Sequence, residues 1–350
     1  MIPYFVVLAS VLLIGFFYKN TKSTLFLVII VTILALFVGL RSTEVGTDTE
    51  GYANTFLESG MFKTAEIAAK SRSTEGGWNI LNWWLYRINP HYWFFFTVVG
   101  FVTSSCAVYL IKKESPVPIL SLFLYITLGF YLFGFAGMRQ SFAIAIYGLA
   151  IPFLLKHDFK RYALIVIIGA MFHRTILIGL PLYFVFRLKY SVKSVVLLIG
   201  GSILIASIIP QLMALSMSIG ERYSIYSEVQ GGGELFAVFY TLMAFFFWTQ
   251  RSKIVESRRA RYDILMMMLI CGAIIYLIVT IAGLYGEVTR FAMYYQLSII
   301  FLWAELYKYR RNKLNPVFWG IAIVTHLVYF YIYLDKIGHT VPYVLNSSFN

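Results

Sequence analysis

Three arginines stand at the mouths of apolar runs. Arg139 follows Gly137-Met138, Arg174 follows His173, and Arg290 follows Gly286-Glu287-Val288-Thr289. A guanidinium grips phosphate or carboxylate with a two-pronged fork, whereas an ammonium acts as a point charge. If each arginine opens a helix, the positive end of the helix dipole disfavours it by about 0.3–1 kcal/mol. An anion held between guanidinium and free backbone N–H groups offsets that cost. The competing reading is an ion pair with Glu75, Asp48 or Glu287. His173, beside Arg174, sits where a titratable residue inside an apolar run is costly, and its ordinary pKa near 6.5 suits a general base. The bland reading of His173 is a hydrogen-bonded packing residue. Arg41 ends an apolar run, where the dipole welcomes a cation, so by itself it says little. Asp48 and Tyr52 share a face if Thr43–Tyr52 is helical. A carboxylate there serves as base, arginine partner or metal ligand. No second Asp, Glu or His stands at a metal spacing, so no metal and no cofactor is inferred. His326 lies inside an apolar run without a charged neighbour and reads as structural.

The elements that must carry these residues are membrane helices. Of the 350 residues 60% are hydrophobic and only 13% charged, with a mean hydropathy of +0.76, against about 25% charged in a soluble domain. Too few charges remain to cover a soluble globule, which excludes a soluble enzyme. The net charge of +13 does not mark a nucleic-acid binder, because in a membrane chain such a surplus sorts to cytoplasmic loops. A span needs about 20 apolar residues. Such runs lie near Ile2–Tyr18, Thr24–Leu40, Tyr92–Ile111, Pro118–Phe135, Gln140–Leu155, Val195–Ile209, Leu235–Thr249, Ile264–Leu284, Phe291–Tyr307 and Pro316–Leu334. One more, Tyr162–Phe186, is interrupted by His173-Arg174. The first run has no basic residue before Lys19 and reads as a spanning helix rather than a cleaved leader. Cys106 and Cys271 both lie in apolar runs and form no disulfide framework.

Charge sets the orientation. With Lys19 and Lys22 inside and the runs alternating, 19 of the 29 Lys and Arg fall in cytoplasmic loops, while 11 of the 16 acids fall outside. Seven of the ten outer basic residues are Arg, against eight of 19 inside. This sorting requires Tyr162–Phe186 to enter and leave on one side, as two half-helices meeting at His173-Arg174; broken helices at membrane depth line protein or water cavities. The expected fold is therefore an all-α polytopic membrane protein of about 11–12 transmembrane helices. It forms one membrane domain over residues 1–350, with outer loops at about 41–91 and 210–234. In the first loop, Leu81, Trp84, Leu85 and Ile88 recur at helical spacing and predict a helix lying in the outer interface. Gly231-Gly232-Gly233 offers a hinge in the second.

At these residues the chain resembles the EpsG family of polysaccharide-polymerase-like membrane proteins, relatives of the Wzy O-antigen polymerases. The resemblance rests on Gly39-Leu40-Arg41, Gly46-Thr47-Asp48-Thr49-Glu50-Gly51-Tyr52 and Glu75-Gly76-Gly77-Trp78-Asn79. It continues through Gly137-Met138-Arg139-Gln140-Ser141, Phe172-His173-Arg174-Thr175, Arg290-Phe291-Ala292-Met293-Tyr294-Tyr295 and Val341-Pro342-Tyr343. Residues 191–263 match nothing in it. The resemblance implies a multi-pass protein of the bacterial inner membrane with its site facing the periplasm. Its substrates would be polyprenyl-diphosphate-linked oligosaccharides, with polyprenyl diphosphate as leaving group, and a separate chain-length regulator is an implied partner beside the bilayer itself. A metal-independent transfer of this kind needs cations for the departing diphosphate and a base for the acceptor hydroxyl. By the resemblance Arg139 and Arg290 take the diphosphate, with Arg41 and Arg174 in support. His173 is the first choice of base and Asp48 the second. Glu75 is a sugar or arginine partner, and Tyr52 and Gln140 line the substrate site. The rival classes are a flippase for lipid-linked oligosaccharide, which should show related halves, and a membrane O-acyltransferase, which should show a histidine reachable from the cytoplasm. Neither feature is present in convincing form: His157 lies on the inner side but between Lys156 and Asp158, as in a solvated loop.

Overall fold

The computed structural model describes residues 1–191, 193–198, 200, 234–281 and 290–346. The expected span Val195–Ile209 beyond Gly200, the outer loop at 210–234 up to Gly233, and Gly286–Thr289 lie outside these residues. The described chain is helical, and its β-pairing is limited to two isolated bridges. It forms two compact units, Met1–Leu177 with Lys313–Asn350 and Ile178–Asn312.

In the first unit α1 (Ile2–Thr21) and α2 (Thr24–Gly39) form a hairpin. An extramembrane segment follows with α3 (Thr49–Glu58), α4 (Ala65–Lys70) and α5 (Gly76–Ile88). Then come α6 (Tyr92–Glu114), α7 (Pro118–Thr127), α8 (Met138–Leu155), α9 (Phe159–Ala170) and, after the second unit, α15 (Pro316–Ile332). The second unit holds α10 (Gly179–Phe186), α11 (Glu234–Gln250), α12 (Glu256–Ile281), α13 (Met293–Gln296) and α14 (Ser298–Tyr309). Among the described residues, six stretches are long and apolar enough to cross a membrane: 2–21, 92–114, 118–135, 138–155, 256–280 and 316–337. Shorter apolar helices cover 24–39 and 174–186. The 118–135 stretch is not one straight helix. It turns at Gly129, whose φ of +82° suits glycine, and resumes as a 3-10 turn at Leu132–Phe135.

The interruption expected inside Tyr162–Phe186 is present. α9 stops at Ala170, the chain turns through Met171-Phe172-His173, and a 3-10 turn, Arg174–Ile178, leads into α10.

Segments that the charge alternation places outside meet at one end of the first unit. The Ser42 N–H donates to Val344 O at 2.8 Å, and that of Asn346 to Leu40 O at 2.9 Å. Thr49 Oγ1 donates to Phe135 O at 3.0 Å, and the Tyr4 hydroxyl donates to Thr340 O. At the other end Lys113 and Arg161 both lie 5.8 Å from the Phe153 ring. Within the second unit, Arg251 forks onto Asp263 at 2.6 and 2.7 Å. Arg258 and Arg261 share the fully buried Glu305.

Helix α5 forms as its spacing predicts, and the structure divides the stripe. Its buried line is Trp78, Asn79, Asn82 and Leu85, so Leu85 turns inward with Leu81, which packs on the core. Trp84 and Ile88, 56% and 67% exposed, point away from it. The first loop is a folded cap whose inward groups, Ala53, Phe56, Trp78 and Leu85, join one core with Phe95, Phe96 and Val99 of α6 and Met138, Phe142 and Ile146 of α8.

Candidate functional site

Glu75, Arg139, His173 and Arg174 come from three separate segments of the first unit and meet at one carboxylate. Glu75 is the residue before α5 and its side chain does not cap that helix. Instead its Oε2 accepts from Arg139 Nη1 at 2.7 Å and its Oε1 from the Arg174 backbone N–H at 3.0 Å. His173 Nδ1 lies 3.5 Å from the same Oε1, within ion-pair reach but without a hydrogen-bond partner. The side chains of Glu75, His173 and Arg139 are 10%, 19% and 23% exposed, and the Arg174 side chain is exposed. The cluster is therefore partly open to its surroundings rather than a sealed ion pair.

Local sequence explains the meeting. Each polar residue is tethered by a nearby aromatic one. Trp78 lies three residues after Glu75, Phe142 three after Arg139, and Phe172 next to His173. These rings pack together: Trp78 on Phe142 at 6.1 Å and Phe142 on Phe172 at 4.9 Å. Trp78 also meets Phe95 at 5.6 Å and Tyr52 at 6.1 Å. Burial of such rings stabilises by several kcal/mol in total, enough to hold a hydrophilic rim above them. The approach is close because α5 opens with glycine. A Cβ on Gly77 would stand 2.6 Å from Met171 O and 2.8 Å from Met171 Cβ.

Electrostatics follow the geometry. Burial pushes the Glu75 carboxyl up, but the His173 ring, the Arg174 N–H and the Arg139 charge together outweigh it and bring its pKa down to about 2. Glu75 is thus ionised at neutral pH. Tyr52 is raised by burial, opposed by the charge of Arg139 and by hydrogen bonds from its backbone and side chain. The Glu75 carboxylate thus faces the Arg139 guanidinium and the Arg174 backbone N–H, with the Arg174 side chain exposed.

The other expected residues fall as follows. Asp48 is the residue before α3 and is half-buried; its carbonyl accepts the Tyr52 N–H at 3.0 Å, so the two sit one helical turn apart as their spacing predicts. Gln140 is buried beside Arg139 in the first turn of α8. Arg41 is not on the rim. It is fully buried, with Nε on Val45 O at 3.3 Å, Nη1 on Val38 O and Nη2 on Thr49 Oγ1 at 3.5 Å. Its guanidinium is sandwiched by Phe96 and Phe135 at 4.7 and 4.6 Å. Every nitrogen is committed to the protein, which gives Arg41 a structural place. Arg290 opens the 3-10 turn Arg290–Ala292 in the second unit. Of the three arginines at apolar mouths, only Arg139 stands in the first turn of a long α-helix; the other two open 3-10 turns. The ion pair weighed against an anion site at Arg139 is real, and its acid is Glu75. The residue that sequence reasoning passed over is Gly77, although Gly76-Gly77 ahead of a buried tryptophan signals a close backbone approach.

Apolar helices long enough to span a bilayer, carrying a folded cap, define an all-α polytopic membrane protein. The chain belongs to the EpsG family, whose family model matches residues 24–345, nearly the whole length. Membership in this Wzy-like, polymerase-type family suggests a membrane glycosyl-polymerase role. No curated protein and no solved structure matches the chain.

Proposed function

We propose that the protein polymerises polyprenyl-diphosphate-linked oligosaccharide repeat units at the outer face of the bacterial inner membrane. The growing glycan is transferred to the non-reducing end of an incoming unit. The bond between its anomeric carbon and the diphosphate breaks, a bond to the acceptor oxygen forms, and polyprenyl diphosphate leaves. The observation that carries this reading is the convergence of Arg139, Arg174 and His173 around Glu75, at the end where the charge alternation places the outer loops.

In this reading Arg139 and Arg174 hold the diphosphate and stabilise its charge as it departs. His173 accepts the acceptor hydroxyl proton. Asp48, near Tyr52, is the alternative base, and Tyr52 and Gln140 flank Arg139 where sugar and phosphate would lie. The test is purified protein with lipid-linked repeat units in detergent. A ladder of longer glycans on the lipid supports a polymerase. Unchanged units in detergent, with transfer of those units across proteoliposome bilayers, would assign the protein to flippases instead.

A further inference from the structure

Resting on that reading, we propose that Glu75 is a displaceable positioning residue: the lipid diphosphate takes its place on Arg139, and the released carboxylate turns onto His173 Nδ1. Without substrate, Glu75 occupies the guanidinium edge that a diphosphate would use, at 2.7 Å. Its other oxygen sits 3.5 Å from His173 Nδ1, a buried atom without a hydrogen-bond partner. A movement of about 0.6 Å brings that contact to ordinary hydrogen-bond length. The Arg174 N–H, at 3.0 Å from Oε1, holds the carboxylate at this pivot while Oε2 lets go.

The coupling follows from valence. A carboxylate shared with a guanidinium is a weak acceptor toward a third group. Freed from Arg139, it accepts fully from Nδ1–H, fixes the tautomer with Nε2 unprotonated, and stabilises the imidazolium that forms on proton transfer. Donor binding thereby arms the base, so an acceptor hydroxyl is activated only when a diphosphate leaving group is in place. The charged groups around His173 in this arrangement are Glu75 on the α5 side, Arg139 on α8, and its neighbour Arg174.

The experiment uses the full-length protein in detergent, titrated with inorganic pyrophosphate, and compares wild type with the isosteric Glu75→Gln variant. Without its charged competitor, the variant should bind pyrophosphate about tenfold tighter, the factor associated with one charge-assisted bond. Its turnover on lipid-linked units should fall roughly 10²-fold, within the range that general-base assistance supplies. In the wild type, imidazole NMR assigned through His173→Gln should show a hydrogen-bonded Nδ1 proton appearing as pyrophosphate binds; in Glu75→Gln it should not appear. Weaker binding together with lower turnover would reduce Glu75 to a structural part. Pyrophosphate binding to wild type with no change at His173 Nδ1 would overturn the coupling, and that readout stands even if the variant fails to fold. Failure of wild type to bind pyrophosphate, or unchanged affinity in Arg139→Gln, would instead remove the diphosphate reading itself.

Discussion

Arg139, in the first turn of α8, pairs at 2.7 Å with Glu75, 64 residues earlier at the mouth of α5. The pair ties a membrane helix to the cap above it, and a further side-chain hydrogen bond links Arg139 to Tyr52. Replacing Arg139 with Ala should abolish polymer while leaving the protein in the membrane, with kcat lowered roughly 10²–10³-fold as for other lost oxyanion donors. Arg139→Lys should remain poor because one ammonium cannot span two phosphate oxygens. Glycan ladders from cells carrying each variant read this directly. Full-length polymer from Arg139→Ala would exclude the guanidinium from the reaction.

His173→Ala should stop turnover but spare donor binding, since the diphosphate contacts stay in place. Single-turnover assays beside pyrophosphate titration separate the two. Continued turnover would transfer the base role to Asp48.

Acid should loosen the cap through Glu75. Its carboxyl is depressed to about 2 in the folded protein, so its contribution is full above the ordinary carboxylate range near pH 4.5. That contribution fades as the pH falls from there toward 2. Thermal unfolding in detergent should therefore lose more stability between pH 5 and pH 3 in wild type than in Glu75→Gln. Equal slopes would show that the depression has no thermodynamic weight.

Gly77→Ala removes no polar atom, yet its Cβ would press on the Met171 carbonyl. Overpacking of this kind costs about 1–3 kcal/mol. It should also push the 171–173 turn off α5, breaking the Glu75 contact with Arg174. Polymer yield should fall with only a modest drop in melting temperature; wild-type activity would mean that the turn moves without consequence.

Arg41→Met should act on stability rather than on chemistry. It removes the guanidinium donors to the buried Val38 and Val45 carbonyls, of which Val45 O keeps the Thr49 hydroxyl, and empties the Phe96–Phe135 sandwich, a loss of about 2–4 kcal/mol. A lower melting temperature in detergent, with kcat retained in the folded fraction, is the expected pattern. A normal melting temperature with lost turnover would return Arg41 to the substrate.

Local chemistry alone determined the helical membrane class, the break before Arg174, the helical turn joining Asp48 to Tyr52, and Arg139 at a helix mouth. Apolar run length, glycine and charge sorting act over a few residues, and a bilayer leaves the backbone little choice but helix. Tertiary structure decided the partners. That Glu75 rather than Asp48 faces Arg139, that Arg41 is walled in by aromatic rings, and that Leu85 turns inward all depend on packing between segments far apart in the chain. Such contacts are set by which rings interdigitate and how closely a glycine lets two backbones approach, quantities that no single stretch of sequence contains.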